Sequence, residues 1–306
     1  MNDKLGDYSF DIKTDAKSNL SNDLSLKEGE ISIVNMGQGK QCFIKTEFAL
    51  SNSLPQQDVD ILMLEEPENH LSHLNMNKLI YHIYKSHSKQ MFITTHSNMI
   101  STRLDLRNTI MLNSNTENSI NLNDIPESTA KYFIKSPDNT ILEYILSKKV
   151  ILVEGDAEFI LFGEFFKNVV GQELKEHDIH VISVGGTSFK RYLDIGRILG
   201  IKTAVIRDND KDYIKNCIEL YSDYVEDYIQ VFSEKDNNNY TFEVNVYNSN
   251  QTVCDELFSA GRVSLTVLEY MLNNKAEVAF QLLDKKSGCL VSPNYIKDAI
   301  EWIIKN

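Results

Sequence analysis

Short apolar runs that end in a carboxylate or a histidine recur along this chain, separated by stretches of helical spacing. Leu62-Met63-Leu64 runs into Glu65 and Glu66, and Ile93-Thr94-Thr95 runs into His96. Val150-Ile151-Leu152-Val153 runs into Glu154, and Ala204-Val205-Ile206 runs into Arg207-Asp208-Asn209-Asp210. Runs this short and this apolar read as strands buried on both faces, which is the pattern of a parallel sheet. Strands alternating with helices give an α/β fold. Parallel sheets present their functional groups at the carboxyl ends of the strands, where all these polar residues fall.

The periodicity organises the rest. Residues 1–30 are polar, with one alternating stretch from Tyr8 to Ile12 that reads as a strand. A short strand is expected at 31–34, a helix at 40–50 and a loop at 51–58. A buried strand follows at 60–64, a helix at 74–86, a buried strand at 90–94 and a helix from Asn98. The Asn- and Ser-rich stretch 113–125 reads as an exposed loop, and 127–147 as a helical connector. The rhythm restarts with strands at 149–153, 180–184 and 202–206 and helices at 157–166 and 189–199. Phe242 to Tyr247 alternates like an edge strand, and 264 onward is mostly helical, with a break at Ser292-Pro293.

With 306 residues there is room for about two domains. The net charge of −13 does not announce nucleic-acid binding for the chain as a whole. Local basicity does: Lys190, Arg191, Arg197, Lys202, Arg207 and Lys211 fall near the last acidic run, where a phosphate backbone would have to lie. Cys42, Cys217, Cys254 and Cys289 are scattered without Cys-x-x-Cys spacing, which argues against a disulfide framework or zinc site and fits a reducing cytoplasm. The chain has no apolar stretch near the ~20 residues that span a bilayer, so a cytoplasmic protein without membrane contact is expected.

In the first half, adjacent acids such as Glu65 and Glu66 can divide two tasks, one holding Mg²⁺ and the other polarising a water. His96 ends the next strand, where an imidazole can sense a terminal phosphate. Gly37 and Gly39 precede a helix and would let backbone approach a phosphate. In the second half, Glu158 lies one helical turn beyond Glu154, so both carboxylates can face one ion. Asp208 and Asp210 alternate, which would point them the same way. Four hard oxygen donors suit Mg²⁺ or Mn²⁺, and a pair of ions could activate a water and stabilise the leaving oxygen of a phosphodiester. Arg207 either contacts phosphate or sits at the surface.

These motifs carry a family resemblance. Asn35-Met36-Gly37-Gln38-Gly39-Lys40-Gln41 resembles the signature loop of ABC-class ATPases. Residues 61–66 resemble the Walker B strand, Glu68-Asn69-His70-Leu71 the D-loop and His96 the switch histidine. A phosphate loop of the form G-x-x-x-x-G-K-[S/T] does not occur, so ATP binding is expected only with a complementing half that carries one. Glu154-Gly155-x-x-Glu158, the Gly185-Gly186 turn and Asp208-x-Asp210 resemble a TOPRIM domain. An ABC half followed by TOPRIM resembles the OLD (overcoming lysogenization defect) nucleases, which include the nuclease subunit of the Gabija anti-phage system. That resemblance implies a partial ABC ATPase domain over 1–126, a connector over 127–147 and a TOPRIM nuclease domain with C-terminal helices over 148–306.

It further implies Lys275 as a catalytic lysine and Glu243 as a metal-binding acid, with Asp255 and Glu256 as alternatives for the same role. Lys190, Arg191 and Arg207 become candidates for DNA contact. The function implied is a two-metal DNA endonuclease or nickase regulated by ATP. A non-catalytic regulatory or DNA-binding subunit of a defence or repair complex is the alternative. Partners implied are DNA, a second copy of the chain, and a polypeptide that supplies the other ATPase half or a helicase-like subunit.

Overall fold

The computed structural model describes residues 8–12, 24–50, 61–85, 90–112, 119–136, 140–186, 188–259 and 264–305. The loop expected at 51–58 lies outside them, as do residues 113–118 of the Asn- and Ser-rich stretch. The chain forms two compact units, Met1–Leu104 and Asp105–Asn306.

In the first unit, β1 (Tyr8–Ile12), β2 (Leu24–Glu28) and β3 (Ile31–Ser32) form an antiparallel sheet. The strand expected at 31–34 stops after two residues, because Ile33–Asn35 turns into a 3-10 helix. Helix α1 (Gln38–Leu50) follows, then β4 (Ile61–Glu65), α2 (His73–Lys85), β5 (Gln90–Thr94) and α3 (Asn98–Arg103). β4 and β5 pair in parallel, as the βαβ rhythm requires. The helical spacing of α2 buries Leu79, Ile80 and Ile83, but Leu74 and Tyr84 stay exposed. The expectation that β4 is buried on both faces does not hold. Its alternate residues Ile61 and Met63 are exposed, Met63 by 77%, and so is Phe92 on β5. The core here is small, built on Leu64, Leu79 and Ile83.

The second unit opens with a hairpin of β6 (Ile110–Met111) and β7 (Ile120–Asn121) and helices α4 (Glu127–Lys135) and α5 (Ile141–Leu146). Then come β8 (Lys149–Val153), α6 (Asp156–Val170), β9 (Ile179–Ser183), α7 (Phe189–Leu199), β10 (Lys202–Ile206) and β11 (Ile229–Phe232). The four strands form one parallel sheet in the order β11-β10-β8-β9. Among the described residues five α-helices follow: α8 (Phe242–Ser249), α9 (Gln251–Phe258), α10 (Val267–Asn273), α11 (Lys275–Lys286) and α12 (Asn294–Ile304).

The sheet is buried on both faces because successive β-branched residues go to opposite sides. Ile151, Val153, Ala204 and Ile206 meet α6, α11 and α12 on one face. Val150, Leu152 and Val205 join the other core, with α4, α5 and α7. Each of the Val, Ile and Leu side chains among these contributes about 1.5–3 kcal/mol by leaving water. Helix α7 lies close to α5 because Gly196 has no side chain: a Cβ there would stand 2.1 Å from the Tyr144 hydroxyl. That hydroxyl is 2.9 Å from Thr203 Oγ1, tying α5 to β10.

The stretch Phe242 to Tyr247, expected as an edge strand, is the helix α8. Thr241 caps it by accepting from the Val244 amide at 3.4 Å. Phe242, Glu243, Val244, Asn245 and Val246 are all buried, so the first turn and more of the helix is enclosed and shows no amphipathic period, whereas Asn248 near its end is exposed.

Candidate metal centre

β8 and β10 are neighbours, so Glu154 and Asp208 leave adjacent strands at the same end of the sheet. Extended Gly155 turns the chain directly into α6, whose first turn carries Asp156 and Glu158. Negative charge is favoured there by the helix N-terminus. α8 delivers Glu243, and α11 begins with Lys275. Lys275 Nζ lies 3.0 Å from a Glu243 oxygen, with the lysine half exposed and the glutamate buried.

Burial governs the electrostatics. It pushes the Glu158 carboxyl up to about 7, and the charges of Glu243 and Glu154 add to that. Asp208 is driven well above the ordinary carboxylate range, first by burial and then by Glu158, Glu154 and Glu243. Burial alone would lower the Lys275 ammonium, but Glu243, Asp208 and Glu158 outweigh it and hold its pKa above the usual value. Buried Glu158 and Glu243 and the partly buried Asp208 thus bear on one another electrostatically, with half-exposed Lys275 paired to Glu243.

The remaining predicted acids are placed differently. Asp210 does not point with Asp208. It adopts φ +48° and Lys211 follows at φ +68°, which turns the Asp210 carboxylate back onto Arg207. Arg207 is only 4% exposed. Its Nη1 donates to Glu154, and its Nη2 donates to Asp210 at 2.6 Å. Arg207 is thus neither on the surface nor free to meet a phosphate. Asp255 accepts from the Tyr247 hydroxyl at 3.2 Å, and Glu256 pairs with Lys286 at 2.9 Å, so both are engaged elsewhere on α9.

Of the basic candidates, Arg191 donates to Ser128 and Thr129 on α4, and Lys190 stands over the rings of Tyr221 and Tyr224. Lys202 starts β10 and so sits at the opposite end of the strand from the acids. Gly185 and Gly186 take positive φ, and the Gly186 amide bonds the Glu154 carbonyl at 2.9 Å.

Sequence reasoning missed Tyr295. It is buried near the start of α12, and its hydroxyl has no hydrogen-bond partner. Burial raises its pKa well above the usual phenol value, and the charges of Asp208, Glu158 and Glu243 raise it further. The signal available was the Pro293-Asn294 helix start, which placed the residue but not its orientation.

The first unit has its own acidic group. Glu66, at φ +43°, bonds the His96 ring, and the buried Glu68 accepts from the Thr95 hydroxyl and from the His96 amide. Ligand atoms of Glu66, Glu68 and His96 all lie within 4.8 Å of one another. Glu65 closes β4 beside them. Gly39 has a packing reason to be glycine: a Cβ there would stand 2.0 Å from the His70 carbonyl. Gly37 has open space around it.

A buried parallel sheet, a glycine turn into an acid-bearing helix and a second acid at the end of the adjacent strand define the class. Residues 145–210 match the family described as overcoming lysogenization defect protein-like, TOPRIM domain, and this segment is an OLD-like TOPRIM domain. Among individual relatives, the Old nuclease of Escherichia phage P2 is 25% identical over 175 residues, which are 54% of this chain and 30% of that protein. The chain thus spans under a third of the length of that relative. Two solved structures are also similar. The C-terminal region of the Xanthomonas campestris pv. campestris OLD protein shares 23% identity at a TM-score of 0.39, covering 52% of this chain and 95% of that one. The C-terminal region of the Burkholderia pseudomallei OLD protein shares 20% at a TM-score of 0.38, covering 52% and 98%. Glu243 and Lys275 lie beyond the matched TOPRIM segment.

Proposed function

We propose that the chain carries the cutting centre of an OLD-type DNA endonuclease or nickase that hydrolyses phosphodiesters with Mg²⁺ or Mn²⁺. The observation that carries this reading is the pairing of buried Glu243 with Lys275 beside the buried Glu158 and the partly buried Asp208. Buried carboxylates without matching cations are costly, and a set of hard oxygens fits a divalent ion of the Mg²⁺ type. The three acids would hold it. When bound, such an ion supplies Lewis-acid activation of the phosphodiester and a water of lowered pKa. Lys275, half exposed at the rim, presents its ammonium where charge grows on a scissile phosphate. Arg207 holds Glu154 and Asp210 in place through its ion pairs with both.

Nicking of supercoiled plasmid in Mg²⁺ or Mn²⁺ tests this. Glu158→Gln and Asp208→Asn are each expected to lower the rate by about 10³-fold, in the range of losing preorganised charge at a reacting centre. Cutting that survives both substitutions sinks the reading. The non-catalytic alternative draws on the Arg207 clamp, which ties up two of the acids, and it expects no cutting in the same assay.

The first unit supports a lesser proposal. Glu65, Glu66 and His96 sit at the carboxyl ends of adjacent parallel strands, which suits a nucleotide-sensing role completed by a polypeptide with a phosphate loop. DNA as substrate, pairing with a second copy, a helicase-like partner, a defence or repair setting and a cytoplasmic location belong to the same proposal. Among the described residues no helix is long and apolar enough to cross a membrane.

A further inference from the structure

A two-ion centre of the kind the family resemblance implies needs Glu154 and Asp210 as ligands, and neither is free. Arg207 follows β10 directly and its amide bonds the Phe232 carbonyl at 3.0 Å, so its backbone is fixed in the sheet ladder. From there its two terminal nitrogens take one carboxylate from each side: Glu154 at the end of β8, and Asp210 in the turn after β10. The turn serves this contact. Two consecutive positive φ values carry Asp210 back, and its amide bonds the Tyr240 carbonyl at 3.2 Å. The guanidinium side chain is 5% exposed, against 27% for Glu154 and 50% for Asp210.

A guanidinium cannot shed its proton, and its rigid fork matches two acceptors. Expelling it from Glu154 and Asp210 would leave a buried cation without partners, which is strongly unfavourable. The other acids show the opposite condition. Glu158 and Glu243 are buried and Asp208 is partly buried, and the cation facing them is Lys275, paired to Glu243 at 3.0 Å.

We propose that Arg207 takes the place of one metal ion: the centre holds one divalent cation, at Glu158, Asp208 and Glu243, while the guanidinium permanently occupies Glu154 and Asp210. The proposal rests on the reading of this centre as metal-dependent, and it fixes the number of ions and the role of the arginine.

Mn²⁺ alone is the probe, counted by equilibrium dialysis and observed by electron paramagnetic resonance. Wild-type chain is expected to lose one bound Mn²⁺ on Asp208→Asn, whatever other ions the chain holds. Arg207→Met is expected to gain one, as Glu154 and Asp210 are freed. Arg207→Lys, which keeps the charge, is expected to match wild type. Wild type is expected to show isolated Mn²⁺ spectra without the exchange splitting of a close pair, a measurement that does not depend on any variant folding. A spin-coupled pair in wild type that Asp208→Asn abolishes, in a chain that nicks plasmid, overturns the arginine proposal and leaves the nuclease reading standing. No Mn²⁺ lost on Asp208→Asn and no nicking overturns both.

Discussion

Glu66 and Asp208 each follow the carboxyl end of a parallel strand, yet they live under different electrostatic conditions. β4, which leads to Glu66, pairs with β5 alone among the described strands and leaves Ile61 and Met63 in solvent. Glu66 answers to His96, whose side chain is 71% exposed. β10, which leads to Asp208, lies inside a four-stranded sheet covered on both faces. There Glu158 and Glu243 are buried, and Asp208 is partly buried beside them. The same local pattern, an acid after an apolar strand, meets an exposed imidazole in one place and a set of other acids with one lysine in the other. The helices that cover the sheet make the difference, and the acids alone do not decide it.

The largest test of that contrast is pH. Glu158 has its pKa raised in the folded chain, so its protonated form favours folding. The stability it lends is fully present below its ordinary pKa near 4.5 and is lost as pH rises through about 7. The loss amounts to about 3 kcal/mol for a group this buried. Thermal melts of the chelated chain between pH 4 and 8 should show the second unit weakening, with Mn²⁺ restoring it at pH 8. A flat profile would break the comparison.

Next comes Lys275→Ala, expected to slow nicking about 100-fold, a loss of roughly 2.7 kcal/mol of transition-state stabilisation. Unchanged cutting would make the lysine a mere counter-ion to Glu243. In the first unit, Gly39→Ala forces a methyl onto the His70 carbonyl. It should cost about 1–3 kcal/mol, seen as faster hydrogen exchange in α1 and β4 with exchange in β8 and β10 unchanged. The smallest effect belongs to Tyr295→Phe. Deleting a buried hydroxyl without a partner should raise the metal-free melting temperature slightly, by about 1 kcal/mol in stability. A loss instead would mean the hydroxyl is satisfied.

Most of this architecture could be read from residue order. The β4 and β5 strands, the turn from β8 through Gly155 into α6, and the helix break at Pro293 follow from apolar runs, glycine and proline. What failed has physical causes. Phe242, Val244 and Val246 alternate, but residues 242 to 246 of α8 are all buried, so alternation there reports apolar composition and not a sheet face. Asp208 and Asp210 alternate too, but a left-handed turn reverses the second. A lone arginine after a strand reads equally as a phosphate contact or a surface residue, and only the burial of Arg207 shows it as an internal cation. For β4 the run of apolar residues was visible, but the exposure of its outer face was not. Nothing in a single strand's sequence says how many neighbours it will have.

The pocket has a consequence during synthesis. Glu158 emerges early in the second unit, whereas Glu243 and Lys275 arrive only with the helices near its end. A ribosome must therefore translate past Lys275 before acids and ammonium can meet. A growing polypeptide therefore lacks the Glu243–Lys275 pair until both helices have left the ribosome.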